Sequence, residues 1–241
     1  MAAEKGALAE ALPADGRLIL PAEDPWCERL AARSRAPVVR VALRPGGAEW
    51  APERLEADAP GIRLTVRGRL VRLPLPGAHN ALDLLLALAA ADALGRSLEE
   101  AVAALAGFRP VPGRLTPTRL PSGVLVLDDT YNSNLPAARA ALEVLRGASA
   151  SGRRIAVLGA MAELGEASAE LHRRLGEAAA AARPDLLLLV GGAPLAEAEA
   201  GALRSGYPAA NLSRCADAEA AAGLLKRLAR PGDLVLLKAS R

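Results

Sequence analysis

The stretch that decides the fold is V-L-V-L-D-D-T-Y-N-S-N-L-P, residues 124–136. Four apolar residues in a row suit a strand buried on both faces of a parallel sheet. The run stops at two carboxylates, a Tyr and two Asn, and a helix opens immediately after it. At the carboxyl edge of such a sheet the chain turns toward a helix, and ligands bind there. Asp128, Asp129, Tyr131, Asn132 and Asn134 are therefore candidate site residues. Asn134 has a plainer use as the N-cap of the helix over 135–145. Five polar groups after one buried strand exceed what capping requires, which favours function.

Toward the C-terminus the pattern becomes strict alternation. Strands are predicted at 155–158, 186–190 and 234–237, with a weaker one near 211–215, and helices at 168–182, 195–203 and 218–228. That rhythm predicts an α/β fold, a doubly wound, mostly parallel sheet. Toward the N-terminus, F-R-P-V-P-G at 108–113 is stiff and non-helical, the best linker in the chain. It divides the chain into a domain over 1–111 and another over 112–241. The first is expected to hold a helix over 2–12, strands at 17–20 and 38–43, and a helix beginning at Asp24-Pro25. A loop over 44–60 then precedes a hairpin over 62–75 and an Ala/Leu helix over 80–94. Ser97 with Glu100 forms a capping box for one more helix.

Bulk composition narrows the function. Hydrophobic residues make up 51% of the chain and aromatics 2%, so its cores are built of Leu, Ala and Val. The net charge of +3 is small, and no dense basic run with interleaved aromatics occurs, which argues against nucleic acid as a partner. Cys27 and Cys215 stand alone, giving neither a disulfide framework nor a zinc site. The N-terminal ten residues carry an acid where a signal peptide is basic, and the most apolar run, 82–91, is too short to span a bilayer. A cytoplasmic protein without membrane insertion is expected.

Four further places can carry chemistry. Gly77-Ala78-His79-Asn80 sits at a helix start, where backbone N–H groups and an amide can meet a base or phosphate, or where Asn80 simply caps. Arg114 follows the linker and can pair with phosphate. The segment V-L-G-A-M-A-E-L-G-E, 157–166, places Glu163 just past a buried strand, and Lys238 and Ser240 close the last strand on the same edge. No G-x-x-x-x-G-K-[ST] occurs, so these residues include no phosphate-cradling P-loop, and no G-x-S-x-G elbow is present.

In order, Glu4-Lys5-Gly6-Ala7, Gly77–Asn80, Gly113-Arg114-Leu115, D-D-T-Y-N-S-N at 128–134, V-L-G-A-M-A-E-L-G with His172, and K-A-S-R at 238–241 resemble the signposts of the Mur ligases of the MurF type. The resemblance covers essentially the whole chain but only the latter part of such an enzyme. It implies that 1–111 is the back half of the central ATPase domain, without its P-loop, and that 112–241 is the Rossmann-like C-terminal domain. The implied reaction is ATP-dependent joining of D-alanyl-D-alanine to UDP-N-acetylmuramoyl-tripeptide in peptidoglycan precursor synthesis. An acyl phosphate is the intermediate, ATP and Mg²⁺ are the cofactors, and the enzyme is mostly monomeric.

The same resemblance implies roles for individual residues. Lys5 matches a lysine that is carbamylated to become a magnesium-binding carboxylate. With Arg114 it forms the catalytic set. Asn80 and His79 would meet adenine, Arg114 the phosphates and Asp129 the ribose hydroxyls, with Tyr131 and Asn132 beside the nucleotide. Asn134, Glu163, Lys238 and Ser240 would line the substrate side.

Departures from the pattern are Asp83 for a second Asn, Ala160 for an Asp, Ala239 for a Gly, and Leu135-Pro136 for Pro-Asp. Without a P-loop the chain is expected to be inactive alone, a truncated form of such a ligase. The alternative is a non-catalytic nucleotide- or peptide-binding module that works with a separate P-loop-bearing chain.

Overall fold

The computed structural model describes residues 2–59 and 61–240, apart from the side chains of Ala2, Ala3 and Lys5. The chain forms two compact units: residues 1–57, 61–73 and 78–109 in one, and 58–60, 74–77 and 110–241 in the other.

In the first unit, α1 (Ala2–Ala11) precedes a two-stranded parallel sheet of β1 (Leu18–Pro21) and β2 (Val38–Val41), with α2 (Cys27–Ala31) between them. A three-stranded sheet follows: β3 (Arg54–Asp58), β4 (Gly61–Val66) and β5 (Arg69–Leu73). β3 corrects the expectation of a loop over 44–60. Its sequence R-L-E-A-D is short, charged and flanked by Pro52 and Pro60, and such a strand at a sheet edge carries little apolar signal. β4 and β5 form the expected antiparallel hairpin, turning through Arg67 and Gly68 with both φ positive, as a two-residue I′ turn requires. Helices α3 (Ala78–Ala93) and α4 (Leu98–Ala104) complete the unit. The capping box at α4 is present: Glu100 N–H donates to Ser97 Oγ at 3.2 Å, and Ser97 N–H to Glu100 Oε2 at 2.8 Å.

The second unit is a doubly wound, mostly parallel sheet. Its strands are β6 (Thr116–Arg119), β7 (Leu125–Asp129), β8 (Arg154–Gly159), β9 (Leu186–Val190), β10 (Leu212–Cys215) and β11 (Leu234–Lys238). They lie in the order β10-β9-β8-β11-β7-β6, parallel except for β6, which runs antiparallel to β7. The last strand is thus inserted between β7 and β8. The helices are α5 (Leu135–Gly147), α6 (Ser168–Ala182), α7 (Pro194–Arg204) and α8 (Ala218–Leu228). β6 is absent from the sequence reading because T-P-T-R has no apolar run, and its Pro is tolerated only because the strand is at the edge.

Period-two alternation sorts the core. Leu125, Leu127, Ala156, Leu158, Leu187, Leu189, Leu234 and Leu236 pack with the buried faces of α5, α6 and α7. Val124, Ile155, Val157, Leu188 and Val235, one residue out of phase, pack with Ala221 of α8. Each fully buried Leu contributes roughly 1.5–3 kcal/mol, so a one-residue slip of any central strand would invert a whole layer. β7, β8 and β11 are in register over Leu127, Leu236 and Ala156, which brings their last residues to one common edge.

Candidate functional site

That edge is built by three strand ends stitched together. β7 continues past its apolar run, so Asp128 and Asp129 are still strand residues, aligned with Leu237 and Lys238 of β11. Successive side chains on a strand point to opposite faces, so two adjacent carboxylates meet different surroundings. Asp129 shares the phase of Leu127, as Lys238 shares that of Leu236, and the two form an ion pair, Nζ to Oδ2 at 2.9 Å. Asp128 instead turns back on its own loop, accepting from Thr130 Oγ1 at 2.6 Å and Thr130 N–H at 3.2 Å, a structural assignment.

Lys238 is buried, with its side chain 2% exposed, and Nζ also donates to the carbonyls of Asp129 and Asn132. Its three donors are thus used within the protein. Asp129 keeps 18% of its side chain exposed, and its Oδ1 accepts from Leu115 N–H at 3.1 Å. The segment after the linker is thereby anchored to β7. Tyr131 N–H donates to Gly113 O at 3.0 Å, and a Cβ on Gly113 would meet that Tyr131 nitrogen at 3.0 Å. With φ of +76° as well, this position takes glycine for both reasons. Leu115 itself is left-handed, φ +54°, though buried, the kind of backbone strain that clusters at functional sites. Arg114, exposed between them, stacks on the half-exposed Tyr131 ring, with Cζ 4.3 Å from its centroid.

Ser240, two residues past β11, joins the β7 and β8 loops. Its Oγ lies 3.2 Å from Asn132 Oδ1, accepts from Ser133 N–H at 3.0 Å, and meets Ala162 N–H at 3.3 Å. Its own N–H donates to Ala160 O at 3.2 Å. Three residues expected at the substrate are therefore committed to the protein. Lys238 and Ser240 hold the loops, and Asn134 is the N-cap of α5, accepting from Ala137 N–H at 2.9 Å. Glu163 is exposed on the β8 loop with φ +59°. On the α8 side the edge opens into a cavity of about 450 Å³, lined by Val157, Val190, Ala221 and Leu237 together with Thr130 and Asp217.

The remaining expected residues belong to the first unit. His79 and Asn80 lie in the first turn of α3, with His79 Nε2 3.3 Å from Asn80 Nδ2. Asn80 is therefore not the N-cap, because the helix begins two residues earlier than its sequence suggests. Lys5 is in α1, and its side chain lies outside the described residues, as does Arg241. Among the described residues no group of three or more His, Cys, Asp or Glu is placed to hold a metal ion. No helix among them is long and apolar enough to cross a membrane. Sequence reading missed the Leu115 N–H as a fixing group for Asp129, since a backbone donor leaves no trace in residue type. In the sequence His172 stands out only as part of a motif.

A parallel sheet whose carboxyl edge gathers an anchored carboxylate, an exposed guanidinium and two polar loops is a doubly wound α/β domain with its polar groups at the edge where such folds bind ligands. A family described as the Mur ligase, glutamate ligase domain matches residues 113–241, more than half of the chain, and the chain belongs to the Mur ligase family. It is similar to the UDP-N-acetylmuramoyl-tripeptide–D-alanyl-D-alanine ligase of Mycobacterium tuberculosis, 36% identical over 261 residues that take in 100% of this chain and 51% of that protein. The enzyme of the same description from Escherichia coli is 36% identical over 196 residues, 79% of this chain and 43% of that one. In structure it resembles MurF from Acinetobacter baumannii, with a TM-score of 0.81 and 27% identity over 98% of this chain and 51% of the other. The chain thus spans about half the length of the curated relatives it matches.

Proposed function

We propose that this chain carries part of a MurF-type ligase, one that joins D-alanyl-D-alanine to UDP-N-acetylmuramoyl-tripeptide at the expense of ATP in peptidoglycan precursor synthesis. In this reading residues 1–111 belong to the central ATPase domain and 112–241 form the C-terminal domain. The observation that carries it is the anchored edge around Asp129, in a chain 36% identical along its full length to a ligase of that description.

The edge suits an anionic, hydroxyl-bearing ligand. Asp129 is fixed by Lys238 and the Leu115 N–H yet keeps exposed oxygen surface for a sugar hydroxyl. Arg114 offers planar N–H donors at the surface for phosphate, and Tyr131 is beside it with an exposed ring. Asn132 is oriented by Ser240. His79 and Asn80 are assigned to the base, and Glu163 to the incoming dipeptide. ATP, when bound, supplies the phosphoryl group that makes the peptide carboxylate reactive toward the dipeptide amine. The residues here bind, orient and neutralise charge during that transfer. Among the described residues no group of three or more His, Cys, Asp or Glu is placed to hold a metal, and the assignment of magnesium to a carbamylated Lys5 rests on the resemblance alone.

These 241 residues contain no P-loop, so the main phosphate clamp belongs to residues outside them. The chain by itself is expected to give no ATP-dependent ligation. Mixing it with a P-loop-bearing N-terminal half of a MurF ligase, and following ADP and product, tests the reading. Ligation only in the mixture supports a chain that works with a separate P-loop. Turnover by the chain alone near that of a full-length ligase would overturn the assignment of the clamp.

A further inference from the structure

His172 lies in the second turn of α6 with none of its surface exposed, and no role assigned above uses it. Both ring nitrogens have a backbone partner that fixes their role, and the Ser168 hydroxyl, 3.3 Å from Nδ1, can serve as acceptor as well. Nδ1 is 2.7 Å from the Ser168 carbonyl oxygen, which can only accept, so Nδ1 carries the hydrogen. Nε2 is 3.0 Å from Met161 N, a backbone N–H that can only donate, so Nε2 is bare. The ring is therefore neutral and in one tautomer, assigned by its partners.

What it holds is the β8 loop. Met161 is buried, and two and four residues later Glu163 and Gly165 both have left-handed backbone, φ +59° and +52°. A non-glycine residue in that conformation persists only where the surroundings over-determine it. The loop has two anchors. Ser240 fastens it from the strand edge through contacts of 3.2 and 3.3 Å, and His172 fastens it from the helix layer through a buried one of 3.0 Å. Without Nε2, the Met161 N–H is left unpaired in the interior, and the loop is free to leave the turn that sets Glu163.

We propose that His172 is a positioning residue for ligation: its neutral, Nδ1-protonated ring holds the 160–165 loop so that Glu163 faces the incoming dipeptide. The role of the loop rests on the reading of Glu163 under Proposed function; the strut itself does not.

The test uses the full chain, its His172→Leu variant, and His172→Gln, whose amide oxygen can still accept from Met161. In ¹⁵N-histidine-labelled wild type, the expected signature is a bare Nε2 with a protonated Nδ1. Amide exchange at Met161 and Glu163 should be about tenfold or more faster in His172→Leu, and largely restored in His172→Gln, as loss and recovery of one buried hydrogen bond dictate. Continued protection of Leu127 and Leu236 shows that the sheet is folded. In the mixed ligation assay, His172→Leu should raise KM for D-alanyl-D-alanine several-fold while KM for ATP stays within twofold. Unchanged exchange at Met161, a protonated Nε2, or equal rises in both KM values would overturn the proposal. Absence of ligation with the wild-type mixture sinks the reading of function instead, and the tautomer and exchange data then judge the strut by themselves.

Discussion

Strand β11 is bounded by two buried charges, and the two ends of the sheet treat them differently. At the amino end Asp233, its side chain 2% exposed, accepts from Arg153 N–H at 2.8 Å, Arg230 N–H at 2.9 Å and the Arg153 guanidinium at 2.7 Å. Burial pushes its carboxyl up, and the Arg153 and backbone donors outweigh this, holding it below the usual carboxylate range. Every acceptor there is turned inward to close turns. At the carboxyl end the buried charge is the cation, Lys238, and its partner Asp129 keeps an exposed remainder beside Arg114 and Tyr131. A closed pair is scaffold. A pair buried on one side and open on the other is scaffold beneath a site. The same strand therefore carries a closed pair at one end and the candidate site at the other.

Three experiments sharpen or break that contrast, in descending order of expected effect on folding. Lys238→Met should cost about 3 kcal/mol or more in urea unfolding, because Asp129 Oδ2 and two carbonyls lose their donor in the interior. A loss under about 1 kcal/mol would mean that the carboxyl end is not closed from beneath. Asp233→Asn should cost about 2 kcal/mol, less because Asn keeps one acceptor and Arg153 is partly solvated. Its cost should also depend on pH in a known direction. A carboxyl held low contributes fully above its unfolded value near ~4 and loses that contribution as pH falls through its lower folded value, so the gap between wild type and Asp233→Asn should close below about pH 4. A gap that stays constant down to about pH 2 would contradict the cause assigned to it. Arg114→Ala should leave folding within about 0.5 kcal/mol, since the side chain is exposed, yet lower the mixed ligation rate by roughly tenfold or more. Equal ligation rates for Arg114→Ala and wild type would overturn the phosphate role proposed for Arg114.

Much of this contrast is local, and was legible for that reason. The apolar runs of β8, β9 and β11, the box of Ser97 and Glu100, and the Asn134 cap each depend on a few neighbouring residues. The elements missed, β3 and β6, are edge strands, one charged and one carrying a proline, whose pairing partners, not their own patterns, make them strands. The α3 start was misread because Asn80 looks like a cap wherever it stands, and only the backbone shows that Ala78 already begins the helix.

For the site, residue types determined that carboxylates, amides and an Arg gather at the end of one buried strand. They could not say which carboxylate stays available. That depends on β11 lying between β7 and β8, which sets Lys238 beside Asp129 across a sequence separation of 109 and leaves Asp128 to its own loop. Strand order and register are long-range properties of the packed sheet, fixed by burying both of its apolar layers at once. For that reason the sequence determined which groups reach the edge, and only the tertiary structure decided which of them hold it and which face outward.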